Sequence, residues 1–266
     1  MTLISKLSEI AKINMKANLS YITAAWGAFI ITLLQIFIFY YIWMAIYAGK
    51  PLINGISKEQ MIGYIILTRT LYTQLTWSSI YVMGEMIYTG EIAMELLRPV
   101  DFQLAMYVGR IGDLIAFGFM TGVPAVVISG VFLGHFTPSN PIIYLYFTMS
   151  LFMAVTIGFL LEFWIGILAF YTKNSWGLQI FYEALIMLFS GALIPLIFFP
   201  GWLRFIVEIL PFKDAIYTPV SIYLGLVKGS AMLEAMLFQL IWIVVLFVLS
   251  RLFYLYSIKK VTVQGG

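Results

Sequence analysis

The run TGEIAMELLRPVDFQ, residues 89–103, places three acids, an arginine and a proline between two long apolar stretches. Residues Glu91 to Leu97 favour helix, and Arg98-Pro99 ends it, because the residue before a proline avoids the helical region. Ile92, Met94 and Leu96 offer apolar contacts, while Glu91 and Glu95 stand one turn apart on another face. A short charged helix between oil-soluble segments reads as a lever at an aqueous face, able to sit in a cleft of another protein. A solvated loop with an incidental helical turn is the competing reading.

The surrounding composition selects the medium. Of 266 residues, 62% are apolar and 10% charged, with a mean hydropathy of +1.00. A soluble domain carries about 25% charged residues, so these residues cannot cover an aqueous surface. The expected class is an all-α integral membrane protein with room for about six spans of roughly 20 residues. A net charge of +3 then reflects where cations sit relative to the bilayer, and no nucleic-acid partner is expected. There are no cysteines, which removes disulfides and thiolate chemistry. The first twenty residues lack an apolar core of signal-peptide length, so no cleaved leader is expected.

Residues 1–20 form the first unit: Leu3, Leu7, Ile10 and Ile13 recur at helical steps, with Lys6, Glu9, Lys12 and Lys16 between them. The pattern predicts an amphipathic interface helix, either a plain anchor or one that also touches a cytoplasmic partner. Residues 21–266 form the membrane unit, with six transmembrane helices expected near 21–47, 61–83, 106–133, 142–171, 176–199 and 233–256. Between spans five and six, residues 200–230 are apolar but interrupted by Pro200, Pro211 and Pro219. Each proline removes a donor and crowds the preceding turn, which predicts short re-entrant outer helices. With the N-terminus inside, nine cations fall on the cytoplasmic side and five outside. That bias favours cytoplasmic N- and C-termini.

The chemistry absent from the chain narrows its function. There is no G-x-x-x-x-G-K-[ST] phosphate loop, and His135 is the single histidine. No catalytic, cofactor-binding or metal-binding residue is therefore expected. Charges inside spans are few: Arg69, Asp113, Glu162 and Glu183, with Arg110 near the inner boundary. A central charge costs about 2.5–3.5 kcal/mol on insertion scales, so each should be paired or wet. At about 1.5 Å per residue, Glu162 lies about 13 Å in, near the depths of Asp113 and Glu183. Arg110 can pair with Glu162 or Glu183, giving an inner charge network of Arg110, Asp113, Glu162 and Glu183. Arg69 has no acid at its own depth. A wet cavity, an anionic group of a substrate and a carbonyl-capped structural role are all open to it.

The run TGEIAMELLRPVDFQ and its place between spans two and three resemble the permease subunits of the type-2 ABC exporter family, in the branch with an E-L-L-R-P-x-D-F-Q signature. The run SGALIPLIFFPGWL, residues 190–203, is similar to the exit of that family's fifth span. The resemblance implies a coupling helix at about 88–99, with Gly90, Glu91, Met94, Glu95, Arg98 and Pro99 meeting a nucleotide-binding ATPase subunit. It implies a second permease, identical or related, and ATP and magnesium held by the partner ATPase rather than by this chain. It further implies residence in the inner (cytoplasmic) membrane among membrane lipid, and outward movement of a hydrophobic or amphiphilic compound such as a drug, lipid or peptide. Arg69, Tyr72, Gln74 and Trp77 are the candidate translocation path, Tyr72 and Trp77 being able to stack on apolar or cationic cargo; ordinary interface packing is their other reading. The alternative function is an ion- or proton-coupled secondary transporter that works without an ATPase.

Overall fold

A computed structural model describes residues 2–76, 80–134, 136–138, 140–172 and 174–260. Helix α1 (Leu3–Ser20) starts where the Thr2 hydroxyl accepts a hydrogen bond from the Ser5 amide. It lies against α6 (Phe102–Phe117). Gly109 and Gly112 of α6 allow that approach. A β-carbon on Gly112 would overlap the Ala11 carbonyl, and one on Gly109 would overlap the Asn14 side chain. Asn18 of α1 also donates to the Asp113 carboxylate.

Helix α2 (Ile22–Ile46) carries no charged residue and leads into a two-strand hairpin, β1 (Leu52–Ile53) and β2 (Ile56–Ser57). Asn54 and Gly55 both take positive φ, 47° and 81°, as a two-residue hairpin turn requires. The Tyr47 hydroxyl fixes the hairpin by donating to the Ile56 carbonyl at 3.0 Å. Residues 48–60, expected as a plain loop, therefore contain a hairpin and the first turn of α3 (Lys58–Thr76). A capping box sets that start: the Ser57 amide donates to Gln60 Oε1 and the Gln60 amide to Ser57 Oγ, satisfying donors the helix leaves free.

Helix α4 (Ile80–Thr89) follows, so the expected second span, 61–83, is described as α3 and α4, which extend beyond it on both sides. After α5 (Ile92–Leu96), α6 passes through one π turn at Gly118–Gly122 into α7 (Val123–Leu133). Together they run from 102 to 133, four residues earlier than expected. Pro124 lacks the amide that an α-helical continuation needs, which favours the wider turn before it. The Gln74 amide bonds Thr121 Oγ1 within that turn, at 2.8 Å.

Helix α8 (Ile142–Gly166) is the most enclosed of the long apolar helices and packs against α6 and α4. Helix α9 (Ser175–Phe189) ends ten residues short of the expected 176–199. The chain turns at Gly191, φ 79°, and its carbonyls are taken by neighbours. The Tyr217 amide donates to Ser190 O and the Tyr64 hydroxyl to Gly191 O. Two short helices follow, α10 (Gly201–Ile209) and α11 (Phe212–Tyr223), then α12 (Ser230–Ser257). Gln239 of α12 bonds Ser150 of α8 and the Asp214 carbonyl of α11, holding α11 between them.

Four helical stretches among the described residues are long and apolar enough to cross a membrane: Ile22–Ile46, Phe102–Leu133, Ile142–Phe170 and Ser230–Ser257. Helix α3 is too polar to meet that measure, and α9 too short.

The polar centre of the bundle is Arg110. Its Nε lies 3.3 Å from Glu162 Oε2, both side chains being almost fully buried. Its Nη2 donates to the Gln74 and Leu75 carbonyls at 2.9 and 3.2 Å. Gln179 of α9 donates to the next carbonyl, Thr76 O, at 3.1 Å. The end of α3 is thus held by side chains from α6 and α9, with α8 supplying the counter-charge.

Removing one partner of a buried ion pair costs about 3–5 kcal/mol, whereas replacing both is far milder. Arg110→Leu should therefore sharply lower thermal stability in detergent, and Arg110→Leu with Glu162→Leu should recover most of it; an unperturbed single variant would contradict this arrangement. Gly112→Val should cost about 1–3 kcal/mol by overpacking and free α1 to limited proteolysis, and unchanged cleavage would refute the close packing of α1 on α6.

Candidate functional site

The charged run between α4 and α6 folds into a compact projection. Gly90 has φ 82°, and nothing lies within 4 Å of where its β-carbon would be. Ile92 is buried and seats α5 on the bundle, while Met94 and Leu97 are 69% and 80% exposed. Glu91, Arg98 and Pro99 are exposed beside them, and Glu95 is partly covered. Arg98 Nη1 pairs with Glu95 Oε2 at 2.8 Å, tying the end of the helix to its own last turn. Gly90, Glu91, Met94, Glu95, Arg98 and Pro99 therefore gather on one small protrusion. Leu97 joins them; an apolar residue in an apolar chain carries no signal of its own in the sequence.

The other candidate residues separate. Of Arg110, Asp113, Glu162 and Glu183, only Arg110 and Glu162 pair directly. Asp113 accepts from Asn18 and Glu183 accepts from Gln179 at 2.7 Å. Asn18 and Gln179 are neutral, which is why charge alone did not point to them.

Along the candidate path, Arg69 is 3% exposed. Its guanidinium lies 4.3 Å from the Phe39 ring centroid and 5.4 Å from that of Tyr72. Nε and Nη2 are buried without a hydrogen-bond partner, and among the described residues no carboxylate lies within ion-pair distance of Arg69. Tyr72 is half-buried beside it. Gln74 points away, into the π turn of Gly118–Gly122. Trp77 lies outside the described residues, as do His135 and Lys173. A separate apolar groove of about 600 Å³ runs between α8, α9 and α12, lined by Leu161, Trp164, Phe181, Leu249 and Phe253.

These features describe a membrane-embedded helical body with a charged projection and an enclosed, incompletely satisfied arginine. Residues 13–265 match the family model described as ABC-2 family transporter protein. No curated protein matches the chain. The family match takes in nearly every helix from α1 to α12, so this chain belongs to the ABC-2 family of transporter proteins and is a multi-pass permease component of an ABC transporter.

Proposed function

We propose that the chain is the membrane half of an exporter, driven by ATPase subunits and moving a hydrophobic or amphiphilic compound such as a drug, a lipid or a peptide outward. The observation that carries this reading is the projection at 90–99. Two exposed apolar side chains, Met94 and Leu97, flank charges on a short helix braced by the Arg98–Glu95 pair. An apolar patch with a polar, charged rim is the anatomy of a protein interface, and this one lies in the loop where the family's partner ATPase would dock.

In this reading α3 with α4, and α9, complete six crossings alongside the four long apolar stretches. Both termini lie in the cytoplasm of an inner-membrane protein, and α1 flanks the docking helix. Residues 200–230 form the re-entrant outer segment, with α10 and α11 capping the exit. Its helix α10 exposes Trp202, Phe205 and Ile209, a composition suited to a membrane interface. A second permease, identical or related, completes the unit. ATP binding closes the ATPase pair, displaces the two projections and repacks the helices behind them. Arg69 and Tyr72 belong to the cargo path: a buried guanidinium with two idle nitrogens attracts an anionic group, and the Tyr72 face takes an apolar one.

Reversing Glu91 and Glu95 together to Lys should weaken capture of the ATPase at least about tenfold, the equivalent of about 1.4 kcal/mol. Quantitative co-purification measures this, and unchanged assembly with unchanged hydrolysis would remove the projection from the interface. ATP-independent transport by the chain reconstituted alone would favour a secondary carrier instead. Arg69→Met should leave thermal stability equal or higher, since it removes an unpaired buried charge, yet reduce stimulation of hydrolysis by a panel of amphiphilic dyes and lipids about tenfold, equal to about 1.4 kcal/mol. Full stimulation in that variant would exclude Arg69 from the path.

A further inference from the structure

A projection moved by an ATPase must hand its displacement to some part of the bundle, and its two ends are built very differently. We infer that α12 receives the stroke, through a clasp formed by Asp101, Phe102 and Gln103 on the C-terminal turns of α12, while α4 is released from it at Gly90. The inference rests on the coupling role proposed above for residues 90–99.

Three consecutive residues beyond Pro99 each engage α12, and each by a different interaction. Asp101 Oδ1 caps α6 by accepting from the Leu104 amide at 3.1 Å, and its Oδ2 pairs with Arg251 Nη1 at 2.7 Å. The Phe102 ring lies nearly parallel to Tyr254, with centroids 5.9 Å apart and planes 17° apart, and it also meets Phe163 of α8. Gln103 Nε2 donates to Ser250 Oγ at 3.0 Å, both residues being buried. Arg251 itself lies over the Tyr254 ring at 5.5 Å. The ion pair alone, about one-third exposed on each side, is a weak tie. Beneath it, a buried directional hydrogen bond and a stacked ring pair oppose sliding and separation of the same two segments. The start of α6 and the end of α12 therefore behave as one piece.

Among the described residues, the other end of the projection has no ion pair or stacked ring pair of this kind. Gly90 is exposed, sits in the left-handed region that costs glycine no side-chain clash, and has nothing within 4 Å of where a β-carbon would stand. The contact between Thr89 Oγ1 and the Glu91 amide spans 3.5 Å. Ile92 seats α5 by burial alone, a contact without directional preference that permits rotation. Clasped at one end and jointed at the other, the projection turns about Gly90 and carries α12 with it.

The chain has no cysteine, so pairs of spin labels can be introduced cleanly into the permease–ATPase complex in lipid nanodiscs. One pair, Leu97→Cys with Leu255→Cys, joins the projection to α12. The other, Leu97→Cys with Tyr81→Cys, joins it to α4. All three side chains are exposed. Between the nucleotide-free and vanadate-trapped states, the 97–255 distance should hold within about 2 Å, the scale of helix shifts in switching proteins, while the 97–81 distance changes by more. Asp101→Asn with Gln103→Met, which keeps an N-capping side chain and the Phe102 ring, should broaden the 97–255 distribution and let it shift on trapping. Equal shifts of both pairs, no shift in either pair, or a clasp variant indistinguishable from the parent would each overturn the inference. A complex that fails to assemble or to trap nucleotide overturns the coupling role itself, and co-purification reads that outcome separately.

Discussion

An arginine in the interior of a membrane protein has to be compensated without help from bulk water, and Arg110 draws that compensation from two neighbouring helices. Glu162 of α8 neutralises it, and the Gln74 and Leu75 carbonyls of α3 accept from its Nη2. Gln179 of α9 donates to a third carbonyl of the same helix, Thr76 O. These bonds tie α3 to α6 and α9, with α8 supplying the counter-charge.

Arg69 shows the opposite condition on the same helix. Phe39 and Tyr72 give it π faces, but two of its nitrogens receive no acceptor from this chain. A structural arginine is surrounded by acceptors, as Arg110 is. One left partly idle suits a site that another molecule completes. In the proposed cargo path, those two nitrogens are where an anionic group would be received.

Much of this was readable from the residues, for identifiable reasons. Long apolar runs such as Ile22–Ile46 and Ser230–Ser257 announce themselves by composition, and Pro200 and Pro211 mark the breaks before α10 and α11. The depth argument brought Arg110 within reach of Glu162 but left Glu183 equally eligible, because depth carries no information about which side of a helix faces which neighbour. The early end of α9 was hidden because SGALIPLIFF carries no charge and only one polar side chain, Ser190; the turn at Gly191 depends on Tyr64 and Tyr217, which are remote in sequence. Asn54-Gly55 and the Ser57/Gln60 capping box are local patterns, small beside the larger hydropathy signal on either side. Asp101, Phe102 and Gln103 could be recognised as part of a motif, yet their shared partner on α12 lies about 150 residues away.

The π turn at Gly118–Gly122 places one surplus residue in an otherwise α-helical rod. The wide turn absorbs that residue, so the chain beyond it keeps the facing that an α-helix one residue shorter would give. Straightening the turn without shortening the chain would rotate everything beyond it by about 100°, one residue's worth of helical phase. Ala125 and Ser129, now fully enclosed, would then swing outward and the exposed Val127 or Val131 would turn inward. The π turn is therefore a phase setting, and a single-residue deletion that removes it together with its surplus residue should be better tolerated than one elsewhere in the same rod.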